Sequence, residues 1–243
     1  PGIDDENTQP EFFTIKPNKS PSWRLKSGIN TTHSGYHEDA QEVKVITNDE
    51  GFRDDNFTSE NDTYRIVALG DSFTFGWGVK SNSSYVEILQ EKMNQEVKKK
   101  IEIMNFGVPG YQPRQEYEIL NSTGIEYDPD LVMIGYTIEE DRTPPYTNST
   151  NKEKLERYEE QLDNSLAEDR REFLVNQRRG ELIREQLKEE GLNESWRRIG
   201  KWYRKIGNLS EEKGFEVLVF HHSYSNETAV QRWRQRATQL EWE

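Results

Sequence analysis

Tyr64 to Val79 reads YRIVALGDSFTFGWGV. Apart from Arg65, its first seven residues are an unbroken apolar run, as expected for a strand buried on both faces of a sheet. The run stops at Gly70-Asp71-Ser72. A serine placed directly after a buried strand is a candidate nucleophile. The same serine could equally cap the turn that follows, since a hydroxyl accepts readily from the first free N–H groups of a helix.

Downstream, the pattern alternates between two periods. SSYVEILQEKMNQEV (Ser83–Val97) has helical spacing, with Val86, Leu89 and Met93 on one face. IEIMNFG is a second buried strand, QPRQEYEILNSTG a helix ending near Gly124, and DLVMIGY a third strand. Strand, helix, strand, helix, strand implies parallel pairing with right-handed crossovers, an α/β layer fold. Residues 151–190 are highly charged and helical, with an apolar stripe at Leu155, Tyr158 and Leu162 that Phe173, Leu174 and Leu182 continue less regularly. This segment is expected to be a helical insertion, a hairpin leaning on the domain. A separate helix from Asn193 is expected to stop at Gly214, followed by a fourth parallel strand, FEVLVF, and a last helix over NETAVQRWRQRATQLEWE. Upstream, residues 1–63 hold short β-like pieces and many turn formers, including a strand in VKVITNDEGFRD with a turn at Asn48–Gly51. The expected domains are thus an extension (1–63) laid against an α/β domain (64–243).

The chain has 243 residues and a net charge of −13, which argues against a nucleic-acid partner because such partners select basic faces. No apolar run approaches the length of a membrane span. The chain begins at Pro1 rather than Met, which reads as a processed or excised product and leaves room for an upstream signal or anchor. No zinc spacing, phosphate loop or dinucleotide fingerprint occurs, so neither metal nor cofactor is expected. Glu139, Glu140 and Asp141 could in principle meet Ca²⁺, but they read more simply as a loop lining.

In open α/β sheets, ligands bind beyond the carboxyl ends of the strands. The four ends here carry Ser72, the glycine loop Asn105–Gly110, the polar run Tyr136–Asp141, and His221-His222-Ser223. The loop glycines can offer backbone N–H groups to an oxyanion. The two histidines lie at this rim, either as chemistry or as a polar strand terminus facing solvent.

These blocks resemble the SGNH (GDSL) hydrolases, serine esterases with a flavodoxin-like sheet. ALGDSFTFGWGV is similar to their first block, NFGVPGYQPRQEYEIL to their second, and DPDLVMIGY to the strand leading to their third. NDEGFRD is similar to a lead-in found in anchored or secreted members. The likeness covers residues 43–141 well and the rest in outline. It implies Ser72 as nucleophile and first oxyanion donor, Gly110 as the second donor, and Gly107 as the glycine shaping that loop. The third block's Asn has Glu139-Glu140 in its place; a carboxylate cannot donate to an oxyanion unless protonated. The family's Asp-x-x-His, whose His is the general base, does not occur in these residues, and His221 and His222 sit on a different strand. The fold expected is therefore a three-layer α/β sandwich of SGNH type, truncated at its last βα unit. The functions expected are ester hydrolysis or O-acyl transfer by Ser72, impaired in the chain as given, on acylated glycans or small esters. The rival expectation is a catalytically degenerate glycoprotein serving in a surface assembly.

A compositional feature bears on location. N-x-Ser/Thr sequons occur at Asn18, Asn30, Asn56, Asn61, Asn82, Asn121, Asn148, Asn193, Asn208 and Asn226. Ten of 17 Asn is well above the about two that the Ser and Thr content would produce by chance. Cysteine is absent, whereas secreted domains of animals and fungi usually carry disulfides. The combination suggests an archaeal extracellular or cell-surface glycoprotein with outward-pointing sequons.

Overall fold

The structure is a computed structural model that describes residues 13–15, 21, 23–33, 42–58, 62–137, 149–162 and 168–222. The last expected helix and the Tyr136–Asp141 run beyond Thr137, Glu139 included, lie outside the described residues.

The N-terminal part forms two antiparallel pairs. β1 (Phe13–Ile15) pairs with β2 (Trp23–Leu25), and β3 (Asn30–His33) pairs with β4 (Val43–Ile46). β5 (Thr63–Gly70) begins the main sheet, followed by the one-turn α1 (Ser72–Phe75) and α2 (Tyr85–Glu96). Next come β6 (Lys100–Asn105), α3 (Pro113–Ser122) and β7 (Leu131–Tyr136). A helical hairpin, α4 (Ser149–Gln161) and α5 (Glu168–Lys213), then leads into β8 (Glu216–His221).

The main sheet is four-stranded and all parallel, in the order β6-β5-β7-β8. The most apolar strand, β5, is central and supplies both faces. Ile66 and Ala68 pack toward α2 with Val86, Ile101, Ile103 and Met133. Val67 and Leu69 point the other way, into a core closed by Ile119 and Leu120 of α3 and by Ile199 and Ile206 of α5. This period-2 division between two helical layers explains the lack of polar alternation in YRIVALG. The architecture is the α/β three-layer sandwich the sequence implies.

The insertion differs from expectation in continuity. Instead of a separate helix from Asn193, α5 runs 46 residues without a break through residue 190, about 69 Å at the α-helical rise. Gly180, Gly191, Gly200 and Gly207 all lie within it. Glycine lowers helix propensity by about 1 kcal/mol, too little to end a helix with buried residues around and between these positions: Val175, Leu182, Trp196, Ile199, Tyr203, Ile206 and Leu209. The stop does fall at Gly214, which has φ +86°.

The extension is built into the domain. Trp23, Leu25, Val45 and Phe52 join the same core as Phe106 and Tyr111. The Tyr111 hydroxyl donates to Trp23 O at 2.8 Å, and Phe52 stacks on Phe106 at 4.0 Å.

Candidate active site

β5 delivers the chain to the site through Gly70, whose φ is +154°. A Cβ there would lie 2.1 Å from Thr74 Oγ1, so only glycine fits. The Asp71 side chain accepts from the Phe73 N–H at 2.9 Å and thereby caps α1. Ser72 therefore does not serve as the cap. It opens the helix, its carbonyl accepts from the Trp77 N–H at 2.9 Å, and it is 8% exposed. Gly76 closes the turn in the left-handed region at φ +78°. Ser72 is thus fixed at the carboxyl end of the central strand, with its hydroxyl released from the usual capping duty.

The second loop is tied directly to the first. The Val108 N–H donates to Gly70 O at 3.1 Å. Asn105 Nδ2 donates to Thr74 O at 2.9 Å, while its Oδ1 accepts from the Gly107 N–H at 3.0 Å. Gly107 lies so close to α1 that a Cβ would sit 2.3 Å from Phe75 N. Tyr111 N–H closes a turn onto Val108 O at 3.0 Å. Gly110 occupies the third position of that turn at φ +79°, the slot that favours glycine in a type II turn.

Arg53, which the sequence reading passed over, clamps the exit of α1. It is 2% exposed and its guanidinium donates to Phe75 O, Gly76 O, Val79 O and Lys44 O, with its plane 5.0 Å from the Phe75 ring centroid. Next to it in sequence, Asp54 Oδ2 accepts from the Asn105 N–H at 2.8 Å. Burial pushes the Asp54 carboxyl up to about 7; the Asn105 hydrogen bond opposes this and the charge of Glu87 adds to it. The extension thus braces both loops. The signal in sequence was a lone Arg-Asp pair after a glycine turn, which reads equally as surface.

A second feature missed in sequence is Glu116, in the first turn of α3. It is fully buried and both carboxylate oxygens lack a hydrogen-bond partner. Burial, then the charge of Asp71, holds its carboxyl well above the usual carboxylate range. Burial and the charge of Asp71 both act in the same direction, toward the protonated carboxyl.

The histidines differ from the expected solvent-facing terminus. The His222 N–H extends the β7–β8 ladder to Tyr136 O at 2.9 Å. Its ring stacks on Phe73, the residue after Ser72, with centroids 5.4 Å apart, and touches Tyr85 and Phe220 at 5.1 and 4.9 Å. Nε2 is buried over Gly135, where a Cβ would come within 2.5 Å of it. Burial in this aromatic nest, reinforced by His221, lowers the His222 pKa to about 4. His221 turns to the opposite face, against Tyr136 at 5.9 Å, as successive strand residues must. Both side chains are partly buried, His222 against Tyr85 at the start of α2 and His221 against Tyr136 of β7.

Of the sequon asparagines, Asn30, Asn56, Asn82, Asn121 and Asn208 are exposed. Asn56 is held by Asp49, Nδ2 donating to the carboxylate at 2.8 Å. Asn18, Asn61, Asn148 and Asn226 lie outside the described residues, as does the side chain of Asn193. Among the described residues no helix is long and apolar enough to cross a membrane, and no group of three or more His, Asp or Glu is placed to hold a metal ion.

The site thus consists of a serine at the carboxyl end of an inner parallel strand and a glycine loop hydrogen-bonded beside it. No family model matches the chain, and no curated protein matches it. Among solved structures the chain is similar to SGNH-type hydrolases. TesA is 16% identical, with 63% of this chain and 76% of that one covered at TM-score 0.28. The acetyl xylan esterase AlAXEase is 12% identical, with 64% and 76% covered at 0.30. AlinE4, an SGNH-hydrolase family esterase, is 16% identical, with 75% and 96% covered at 0.29. At these values the likeness decides nothing about chemistry.

Proposed function

We propose that this chain carries out acyl chemistry at Ser72, as an extracellular or cell-surface esterase or O-acyl-transfer enzyme acting on acylated glycans or comparable small esters. The observation that carries this reading is the division of labour at the strand end. Asp71 takes the capping role, and Ser72 is left at the carboxyl end of β5, in a turn whose neighbours Gly70 and Thr74 are hydrogen-bonded to the glycine loop. Ser72 is the nucleophile, and the N–H groups of Ser72 and Gly110 are the oxyanion donors. In the sequence pattern a third donor would be expected at Glu139, and a carboxylate does not donate. The exposed sequon asparagines support the surface location.

Covalent trapping tests the reading. A fluorophosphonate probe is expected to label the chain at Ser72, located by peptide mass spectrometry, with no label in Ser72→Ala. Absence of label at Ser72 would favour the second reading, a catalytically degenerate surface glycoprotein with a role in assembly. That reading is supported by His222, whose lowered pKa makes it a feeble base.

A further inference from the structure

The chain is strongly acidic, yet between Trp196 and Ser210 it holds five cations and no acid: Arg197, Arg198, Lys201, Arg204 and Lys205. At about 100° per residue these five fall within an arc of roughly 120° on α5. The buried residues Ile199, Tyr203 and Ile206 occupy the opposite side. The cationic stripe therefore faces outward over about 12 Å of helix.

Its neighbour on α3 completes a surface. Trp202 and Tyr117 lie with ring centroids 5.7 Å apart. Lys205 Nζ sits 4.9 Å from the Trp202 centroid and 5.0 Å from that of Tyr117. Lys201 Nζ is 5.4 Å, and the Arg114 guanidinium 6.0 Å, from Trp202. Arg114 is paired with Glu118 at 2.7 Å. Among the described residues, Lys201, Arg204 and Lys205 have no carboxylate within ion-pair distance. The rings thus fix ammonium groups that no carboxylate among the described residues neutralises. The stripe also begins near the candidate active site: Trp196 packs on Tyr136 at the carboxyl end of β7, and Arg114 follows Gly110 by four residues.

We propose that this α3–α5 face, centred on Lys201, Arg204, Lys205 and the Trp202–Tyr117 pair, binds an acidic polysaccharide, a polymer carrying carboxylates on its sugar rings. It names the class of glycan for the acyl chemistry proposed above and rests on that reading for the choice of a sugar polymer. Charge complementarity fixes the sign of the ligand. The cations are one helical turn apart, about 6 Å, which suits carboxylates spaced along a sugar chain and gives too few contacts for the dense phosphates of a duplex. The half-buried Trp202 and Tyr117 rings leave apolar surface beside the cations for sugar C–H groups.

Polygalacturonate is the probe, with dextran, duplex DNA and phosphatidylglycerol vesicles as comparators, measured calorimetrically on the full 243-residue chain. Polygalacturonate is expected to bind and to weaken as salt rises, while dextran does not bind. The exposed double variant Lys201→Glu/Lys205→Glu, checked for unchanged circular dichroism, is expected to bind at least about tenfold more weakly. Ser72→Ala is expected to bind like the parent. No binding of polygalacturonate, binding unchanged by the charge reversal, equal binding of dextran, or a preference for DNA or vesicles would each overturn the proposal. Should Ser72 resist the fluorophosphonate while charge-dependent polygalacturonate binding persists, the catalytic reading fails and the binding surface stands. The converse pattern removes the surface alone.

Discussion

Asn105 holds Thr74 and Gly107 at once: Nδ2 donates to Thr74 O at 2.9 Å and Oδ1 accepts from the Gly107 N–H at 3.0 Å. One buried amide thus locks the serine turn to the glycine loop. Asn105→Ala would strand a buried carbonyl and a buried N–H. At about 1–3 kcal/mol for each group left unsatisfied, urea denaturation should show a loss of about 2–4 kcal/mol. Asn105→Asp keeps the acceptor and loses the donor, and should fall between the two. A loss under about 0.5 kcal/mol for the alanine variant would show that the two loops hold together without the amide.

Two glycine substitutions should differ in sign. Gly107→Ala places a methyl 2.3 Å from Phe75 N. Backbone must move, at about 3 kcal/mol or more, and the site moves with it. Gly207→Ala lies on α5 with nothing within 4 Å of the new methyl. It should stabilise by about 0.5–1 kcal/mol through helix propensity and a less free unfolded chain. Thermal unfolding of both variants checks the pair.

Asp54 should make stability depend on pH in a stated direction. Its carboxyl is pushed from 3.8 up to about 7 in the folded protein. Between these values the folded state binds more protons than the unfolded one. Its contribution is therefore complete below about pH 4 and is lost as the pH rises through about 7. Asp54→Asn keeps an oxygen to accept from the Asn105 N–H and cannot ionise. The melting temperature of the parent should fall relative to this variant from pH 4 to 8. Glu116, also raised by burial, is common to both proteins and cancels in the difference. A difference that stays constant with pH would contradict the assignment.

Catalysis by the 243 residues as they stand should be slow. His222 is held at about 4 and is a weak base. Lacking an effective general base costs on the order of 10²–10⁴ in rate. Hydrolysis of p-nitrophenyl acetate is expected to be slow, with its small excess over background lost in Ser72→Ala. Robust hydrolysis abolished by Ser72→Ala would reverse this, and His222→Ala and His221→Ala would then identify the recruited base.

YRIVALG determined a great deal alone. An apolar run ending in Gly-Asp-Ser fits a strand buried on both faces of a sheet, with a polar site at its end. The order of strand and helix periods determined the sandwich, and the glycine loop was placed correctly at the next strand end. These features are local, set by periodicity and by the conformational freedom of glycine. Tertiary structure decided the rest. Whether Ser72 or Asp71 caps α1 depends on which side chain reaches the Phe73 N–H, and two adjacent polar residues do not reveal that. The continuity of α5 depended on burial at Val175, Leu182 and the face from Trp196 to Leu209, which outweighs the propensity cost of single glycines. The environments of Glu116, Arg53 and His222 arise from residues up to about a hundred or more positions away. Desolvation and the pairing of buried groups are properties of what surrounds a side chain in space, and the spacing of the sequence does not carry them.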